Sequence, residues 1–452
     1  MKIFLYRLFV FSLFLNTHLA FSQDGLTVVA VGEAEAEKDK MVIQDTYFQG
    51  TFSEAQKKAG QEISKLIRND FSFYQKKIYL VEAATNNSTT RPVTNYEYWN
   101  GKGVRYLGTV SVEKSGTDSL KVTAIFEDIK NRKQIYNQMK TTTLVNARKT
   151  GHELSDGAYH EIVGKESIFK SKIVFVSDRN SKPGKPVKEV YMMDYDGKNV
   201  VQITNHGGLT ISPSMSKDGR YLLYSLISNA DMKKRNNNLH LMDLKTKESK
   251  MISGRDGINS GGIFSPSGKS IFLTLTISGN AEIYEMDLDS KSLRKITNHF
   301  ASDVDPSITY DGKLMTYLSD RAGKAMIYTL DPSGEEKSVK RISYVGQFNA
   351  TPRFSPDGKE IVFASWLENC FDLFRIGSDG TGLSRLTKDF GSNEDPSYSN
   401  DGEFIAFSSQ RVISRVKAEQ NIYIMDRDGG ILGAVTAGFG NCITPRWYNF
   451  KD

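Results

Sequence analysis

The sequence predicts an α+β N-terminal domain followed by an all-β six-bladed propeller. Three observations predict it. A sequence unit recurs every 44 to 49 residues through the C-terminal two-thirds, and a half-unit stands at each end of that stretch. The N-terminal third has helical and strand-like periods but not the repeat.

The chain has 452 residues, which allows two domains behind a leader. Lys2 and Arg7 form a positive start, Leu8 to Leu15 is an apolar run, and Ala20 and Ser22 supply small residues before Gln23. This is the layout of a secretory leader over residues 1–22. The apolar run is too short to span a bilayer, which argues against a retained anchor. Gln23, not Cys, stands directly after the expected cleavage point, so a lipid-anchored mature N-terminus is not expected. No later stretch approaches the apolar length of a membrane span, and no direct membrane insertion is expected.

Residues 23–168 read as a small α/β domain with a mobile N-terminal arm, its sheet mainly antiparallel or mixed. Ser53 and Gln56 form a capping box, and Ala55, Ala59, Ile63, Leu66 and Ile67 follow at helical spacing. Strand-like runs cover Lys77 to Val81, Val104 to Val112, Leu120 to Phe126 and Gln134 to Leu144, and a second helix covers His152 to Val163. The polar stretch Asn86 to Asn95 reads as a loop, and the charged stretch Gly32 to Lys40 as part of the arm.

Residues 169–452 carry the repeat. Each unit opens on a small residue or Pro, continues to a Ser-Pro-Asp-Gly-like turn, and then gives an apolar strand, a Tyr-x-Met-Asp-like strand and a short strand ending Ile-Thr. The openings are Pro213, Gly262, Pro306, Pro352, Pro396 and Pro445. Asp-Gly suits a tight hairpin because Gly tolerates positive φ and Asp caps its own turn. The apolar strands, such as Ile361 to Ala364, suit sheets covered on both faces by neighbouring blades. Two units carry five extra residues before their third strand, at Asp231 to Asn238 and Arg411 to Gln420, where a polar surface loop is expected. Lys172 to Thr204 lacks an opening strand, and Thr444 to Tyr448 is an opening strand with nothing after it. Joining them completes a sixth blade and removes both exposed sheet edges.

The motifs that resemble catalytic or metal sites read as parts of the repeat. Asp194-Tyr195-Asp196-Gly197 and Asp426-Arg427-Asp428-Gly429 lack the spacing and terminal Glu of a calcium loop. Gly268-Lys269-Ser270 lacks the earlier Gly of a phosphate-binding loop. There is no Gly-x-Ser-x-Gly elbow, and the histidines show no ligand spacing except across the fold. His240 replaces the Tyr of its strand and reads as a packed side chain. No catalytic, cofactor or metal residues are assigned. Cys370 and Cys442 stand at non-equivalent repeat positions and read as separate thiols. Basic residues are scattered despite the net charge of +6, so nucleic acid is not an expected partner. Asp305, Thr351, Asp395 and Thr444 directly precede opening prolines and are expected to ring one mouth of the channel. Partner binding and plain loop capping are both open there, as is a cation between Asp305 and Asp395.

The segments Arg148-Lys149-Thr150-Gly151-His152-Glu153-Leu154-Ser155-Asp156, Gly164-Lys165-Glu166-Ser167-Ile168-Phe169 and Glu62-Ile63 to Asn69-Asp70, in this order before the propeller, resemble the TolB family of the Tol–Pal system. The resemblance covers nearly all of the mature chain. It implies a non-enzymatic, periplasmic, monomeric scaffold that binds the peptidoglycan-associated lipoprotein Pal through the propeller and TolA through the N-terminal arm. Carried over by position, the Pal-facing loops include Ile258, Asn259, Gly261 and Val304. Ile258 stands where some members have His, and Val304 where some have Thr. Two other functions use the same repeat: an accessory domain to a peptidase, and a propeller binding a small molecule or carbohydrate in its channel. Only sixteen residues follow Thr436, too few for a hydrolase domain.

Overall fold

The computed structural model describes residues 38–82, 91–228, 236–414 and 417–450. The leader expected over residues 1–22 and nearly all of the arm lie outside them. So do residues 231–235 of the first expected insertion.

The N-terminal elements are β1 (Asp39–Ile43), β2 (Tyr47–Gln49), α1 (Glu54–Ser72), β3 (Ile78–Val81), α2 (Tyr96–Gly101), β4 (Val104–Lys114), β5 (Ser119–Asp128), β6 (Lys133–Thr143) and α3 (Ala147–Val163). The sheet runs β3-β1-β4-β5-β6, with β2 also on β4; β1 pairs in parallel with β3 and β4, and β4 to β6 are antiparallel. It is therefore mixed. Asp39 and Lys40, read above as the end of the arm, belong to β1. Ser53 forms the expected reciprocal cap with Gln56. The helix face differs by one position: Ala55 is exposed, and Gln56 and Gly60 are buried with Ile63, Leu66 and Ile67. Gln56 reaches the carbonyls of Gly116 and Thr117 at 2.9 and 3.1 Å. At Gly60 a Cβ would lie 2.7 Å from the Phe48 ring, so the close approach requires Gly. Helix α3 starts five residues earlier than its apolar period suggests. Residues 86–90 of the expected loop lie outside the described residues, and α2 begins directly after Asn95, where no element is expected.

The propeller consists of six four-stranded sheets among the described residues. The innermost strands are Leu209–Met215, Asn259–Phe264, Asp303–Ile308, Asn349–Phe354, Ser392–Tyr398 and Cys442–Tyr448, in blades 1 to 6. In blade 6 the C-terminal strand pairs antiparallel with Lys172–Ser177, Cys442 opposite Ser177 and Trp447 opposite Ile173. Glu189–Asp194 and Val201–Gln202 complete the sheet. Both chain ends thus share one blade, as the half-units require.

Two side-chain devices explain the repeat. At the Asp-Gly turn the first residue's hydroxyl donates to the Asp carboxylate, as in Ser216 to Asp218 at 2.5 Å and Ser355 to Asp357 at 2.6 Å. The Gly lies at φ 72° in Gly219 and 70° in Gly358, the left-handed region. At the end of the fourth strand, the hydroxyl of the Ile-Thr signature latches the third. Thr204, Thr297, Ser343, Thr387 and Thr436 accept the backbone N–H of Val190, Ile283, Ile327, Leu373 and Ile422 at 2.8 to 2.9 Å. The same hydroxyls donate onward, Thr204 to Glu189 at 2.5 Å, Thr297 to Glu282 at 2.6 Å and Ser343 to Asn349 at 2.5 Å. Buried polar groups are satisfied in this way where the outer strand is too short to pair fully.

Arg411 to Gln420 is not a loop. Phe404–Ser414 and Lys417–Asp426 extend the hairpin of blade 5, with Arg411 opposite Glu419. An antiparallel ribbon exposed on both faces needs no buried apolar alternation, so its mixed, mostly polar composition resembles a loop. Cys370 and Cys442 are free thiols. His240 stacks on Tyr224, with ring centroids 5.5 Å apart.

The N-terminal domain and blades 5 and 6 share one core. Phe71, Tyr74, Tyr159 and Phe169 pack with Tyr195, Phe404 and Trp447 in a single buried cluster. Asp70, fully buried, accepts Tyr195 Oη at 2.5 Å and lies 3.1 Å from His152 Nδ1. Tyr74 Oη donates to Asp401 at 2.6 Å, Lys77 pairs with Glu403 at 2.8 Å, and Arg148 pairs with Asp194 and Asp196. Residues of the α1 and α3 motifs thus clamp the two parts together.

Removing Cys442 to Asp452 strips blade 6 of its inner strand and of Cys442 and Trp447, both buried. At about 1.5–3 kcal/mol per large apolar side chain, the loss amounts to several kcal/mol. The truncated chain is expected to melt far below the full chain in a circular-dichroism scan. An unchanged melting temperature would contradict closure by this strand. Asp70→Ala leaves the Tyr195 hydroxyl buried without its acceptor and is expected to cost about 1–3 kcal/mol in urea unfolding.

Candidate binding face and axial channel

Every inner strand carries the same irregularity. Register shifts fall between Ile211 and Ser214, Ser260 and Ile263, Val304 and Ser307, Ala350 and Arg353, Glu394 and Ser397, and Ile443 and Arg446. At the bulge, Ser212, Gly261, Asp305, Thr351, Asp395 and Thr444 all have φ between 50° and 66°. Five of the six are not Gly, and such a conformation is sparsely populated for them. A bulge leaves its residue unpaired and turns it out of the ladder. The opening Pro follows in five blades, where its missing N–H removes no ladder bond.

The residues expected from sequence separate into three settings. Ile258 is exposed on the loop entering blade 2. Asn259 is fully buried: its Oδ1 accepts Ser253 Oγ at 2.6 Å and its Nδ2 donates to Arg255 O at 2.6 Å. Gly261, Asp305, Thr351 and Asp395 occupy the bulge ring, and Val304 lies one position before it.

Two arginines that sequence reasoning left out share this ring's surroundings. Arg353 donates to Asp305 at 2.8 Å and to Pro352 O at 2.7 Å. Arg446 donates to Pro445 O at 2.9 Å. Both stand two positions after a bulge, in blades 4 and 6. The signal was available: this repeat position reads Ser214, Ile263, Ser307, Arg353, Ser397 and Arg446. Asp395 accepts the backbone N–H of Thr444 at 3.2 Å. Burial raises its pKa, opposed by Arg446 and Arg353 and reinforced by Asp305. The carboxylates thus already face guanidinium groups, which supply the positive charge a cation between Asp305 and Asp395 would bring. Burial, then the neighbouring Arg353, pull Arg446 down to about 10.

Elsewhere, His152 comes within ligating reach of Asp194 and Asp196. Arg148 pairs with both carboxylates and Lys172 with Asp194, so that cluster is tied into the domain clamp.

The two propeller faces differ. The N-terminal domain docks on the face formed by the Asp-Gly turns and the turns after the third strands, through Asp401, Glu403, Asp426 and Asp428. Loops entering each blade and hairpins between second and third strands form the opposite face. There Ile258, Phe300, Tyr344, Phe348, Val412 and Ile413 are exposed, Phe300 by 85% and Val412 by 80%.

Glu394, beside Asp395, is pushed up to about 7 by burial and then by the Asp395 charge. Its folded pKa lies above its ordinary value of 4.5, so its contribution to stability is complete below that value and is lost as pH rises towards 7. Asp303, raised to about 6 by burial, acts in the same direction. Glu394→Gln is expected to flatten the dependence of melting temperature on pH from about 4.5 to 7, and to exceed the parent at pH 8. Parallel curves for the two proteins would refute this.

A family profile described as the TolB beta propeller domain matches residues 159–378. The Tol-Pal system protein TolB of Francisella tularensis subsp. mediasiatica is 30% identical over 221 residues, 48% of this chain and 49% of that protein. The protein of the same description from Francisella tularensis subsp. tularensis matches to the same extent. The chain thus spans about half the length of the curated relatives it matches. In structure, TolB from Acinetobacter baumannii aligns over 91% of this chain and 97% of its own, with a TM-score of 0.75 at 23% identity. That likeness covers the N-terminal domain as well as the ring. No helix among the described residues is long and apolar enough to cross a membrane. The profile match and the shared two-part fold make this chain similar to TolB proteins, in the propeller sequence over residues 159–378 and in architecture over nearly its whole length.

Proposed function

We propose that this chain is a non-enzymatic periplasmic scaffold of a Tol–Pal system, acting in envelope integrity and cell division. It binds Pal through the propeller face opposite the N-terminal domain, and TolA through the arm Gln23 to Lys40. One observation carries the reading: exposed apolar side chains gather on the face the N-terminal domain leaves free. Large apolar side chains left in water on one face favour a protein–protein contact there. The relatives' description as Tol-Pal system proteins gives the partner class. Asp70 of α1 and Arg148 and His152 of α3 are engaged in the domain clamp, which favours a structural use of their polar chemistry.

Within the proposed contact, Ile258 and Phe348 offer the apolar anchors, whereas Asn259 shapes the loop from inside. Gly261, Val304, Asp305, Thr351 and Asp395 line the channel side of the same face.

The test measures binding of purified Pal to the full mature chain by calorimetry. Ile258→Asp and Phe348→Asp are each expected to weaken binding at least about tenfold, a loss of roughly 1.4 kcal/mol. Leu383→Asp, at an exposed turn on the opposite face, is expected to leave it unchanged. Absence of Pal binding by the parent would overturn the partner, and a loss confined to Leu383→Asp would overturn the face.

A further inference from the structure

At the Asp-Gly-turn end, the axial channel opens into a cavity of about 340 Å³. That size falls at the lower end of the roughly 300–1,000 Å³ typical of small-molecule sites. Each of the six blades contributes to its wall, through Met215, Phe264, Pro306, Arg353, Asn400 and Arg446 among others, so the cavity lies on the propeller axis. Apolar side chains supply much of the lining: Ile263, Phe264, Ile308 and Trp447 in particular.

The charges are one-sided. Three cationic residues line the cavity, Arg353, Arg446 and Lys217, and no Asp or Glu lines it among the described residues. Lys217 is held at the Tyr310 ring, its Nζ 4.3 Å from the centroid. Arg353 already has Asp305 as a partner. Arg446 forms no ion pair among the described residues; its one hydrogen bond goes to the carbonyl of Pro445, the residue before it. A guanidinium has five N–H donors in a planar fork that matches a carboxylate. A partly buried Arg with a single backbone acceptor therefore leaves most of that fork unused, in a setting where an anion would interact strongly.

We propose that this end of the channel binds a small amphipathic monocarboxylate, its carboxylate on the Arg446 fork and its apolar body against Ile263, Phe264 and Ile308. A neutral apolar molecule would leave most of the Arg446 fork without acceptors, and a cationic one would meet three like charges. A polar sugar would leave the apolar wall unpaired. This site lies on the opposite face from the proposed Pal contact and does not depend on it.

The test uses the full mature chain and octanoate, with octanol and octyltrimethylammonium as matched neutral and cationic probes, followed by calorimetry. Saturable binding of octanoate is expected, at least tenfold tighter than either control. Arg446→Met keeps the apolar stem and removes the fork, and is expected to weaken octanoate at least tenfold with no effect on Pal binding. Ile263→Glu, in the same cavity lining, introduces a competing carboxylate and is expected to abolish octanoate binding even if the Arg446 variant does not fold. The proposal fails if octanoate does not saturate the parent, if the three probes bind alike, or if folded Arg446→Met or Ile263→Glu binds octanoate as the parent does.

Discussion

The pairing of Cys442–Tyr448 with Lys172–Ser177 is the constraint on which the rest depends. Blades 1 to 5 are each built from consecutive strands, and each buries its faces only against its neighbours. Without the C-terminal strand, blade 6 has no inner strand, and the ring of inner strands is broken on the channel side. The same strand brings Trp447 to the shared core, where its indole donates to Ser171 at 2.7 Å and its backbone N–H to Ser397 at 3.0 Å. Closure of the ring and docking of the N-terminal domain therefore use one segment of chain. The domain sits on blades 5 and 6, on either side of the place where the ends meet.

Closure in turn fixes what faces the axis. Each inner strand bulges at the same position, so six residues in left-handed conformation turn out of the ladder at one level. The strain of five non-Gly residues there is offset by the surrounding sheet hydrogen bonds and by the buried polar ring just above. In that ring Thr210, Asn259, Asp303, Asn349 and Asn393 are fully buried, at the first or second residue of their strands. Asn259 and Asn349 each accept the latch hydroxyl of the preceding strand, Ser253 or Ser343. The link ties one blade to the next through side chains as well as through packing.

Much of this was legible in the sequence, because the repeat displays the same local chemistry six times. The Asp-Gly turn, the opening Pro and the Ile-Thr ending each correspond to a hydrogen-bonded device, and the half-units at the two ends dictate how the ring closes. What was not legible lacks a repeated or periodic signature. Strand β1 is short and pairs in parallel with residues far along the chain, so no turn announces it. The blade 5 hairpin extension is exposed on both faces and mostly polar, with Val412 and Ile413 out of any alternation, which hides its pairing. Gln56 and Gly60 are buried in α1 because of what lies opposite them, two carbonyls and the Phe48 ring, and neither is apolar enough to reveal it. The Asn259 side chain is committed inward, a fact that its place beside the exposed Ile258 conceals. Arg353 and Arg446 differ from their counterparts in the other blades, and repeat-based reading favours what recurs.

Those departures carry the chemistry of the channel. The bulge ring and the position before it hold the carboxylates Asp305, Asp395 and Glu394; two positions beyond the bulge come Arg353 and Arg446; the far mouth is largely apolar, with Lys217 at the Tyr310 ring. Along the axis, acid therefore gives way to base and then to hydrocarbon. Such an order discriminates by orientation as well as by charge. An anion approaching from the apolar end meets the guanidinium groups before the carboxylates, whereas from the other end it meets repulsion first. Because Arg353 is tied to Asp305, the two layers are coupled at blades 3 and 4, and Arg446 in blade 6 is left as the group with spare donors. The same scaffold repeat thus carries two separable surfaces: an apolar outer face suited to a protein, and an inner mouth whose chemistry is set by two residues in which the repeat departs from its own pattern.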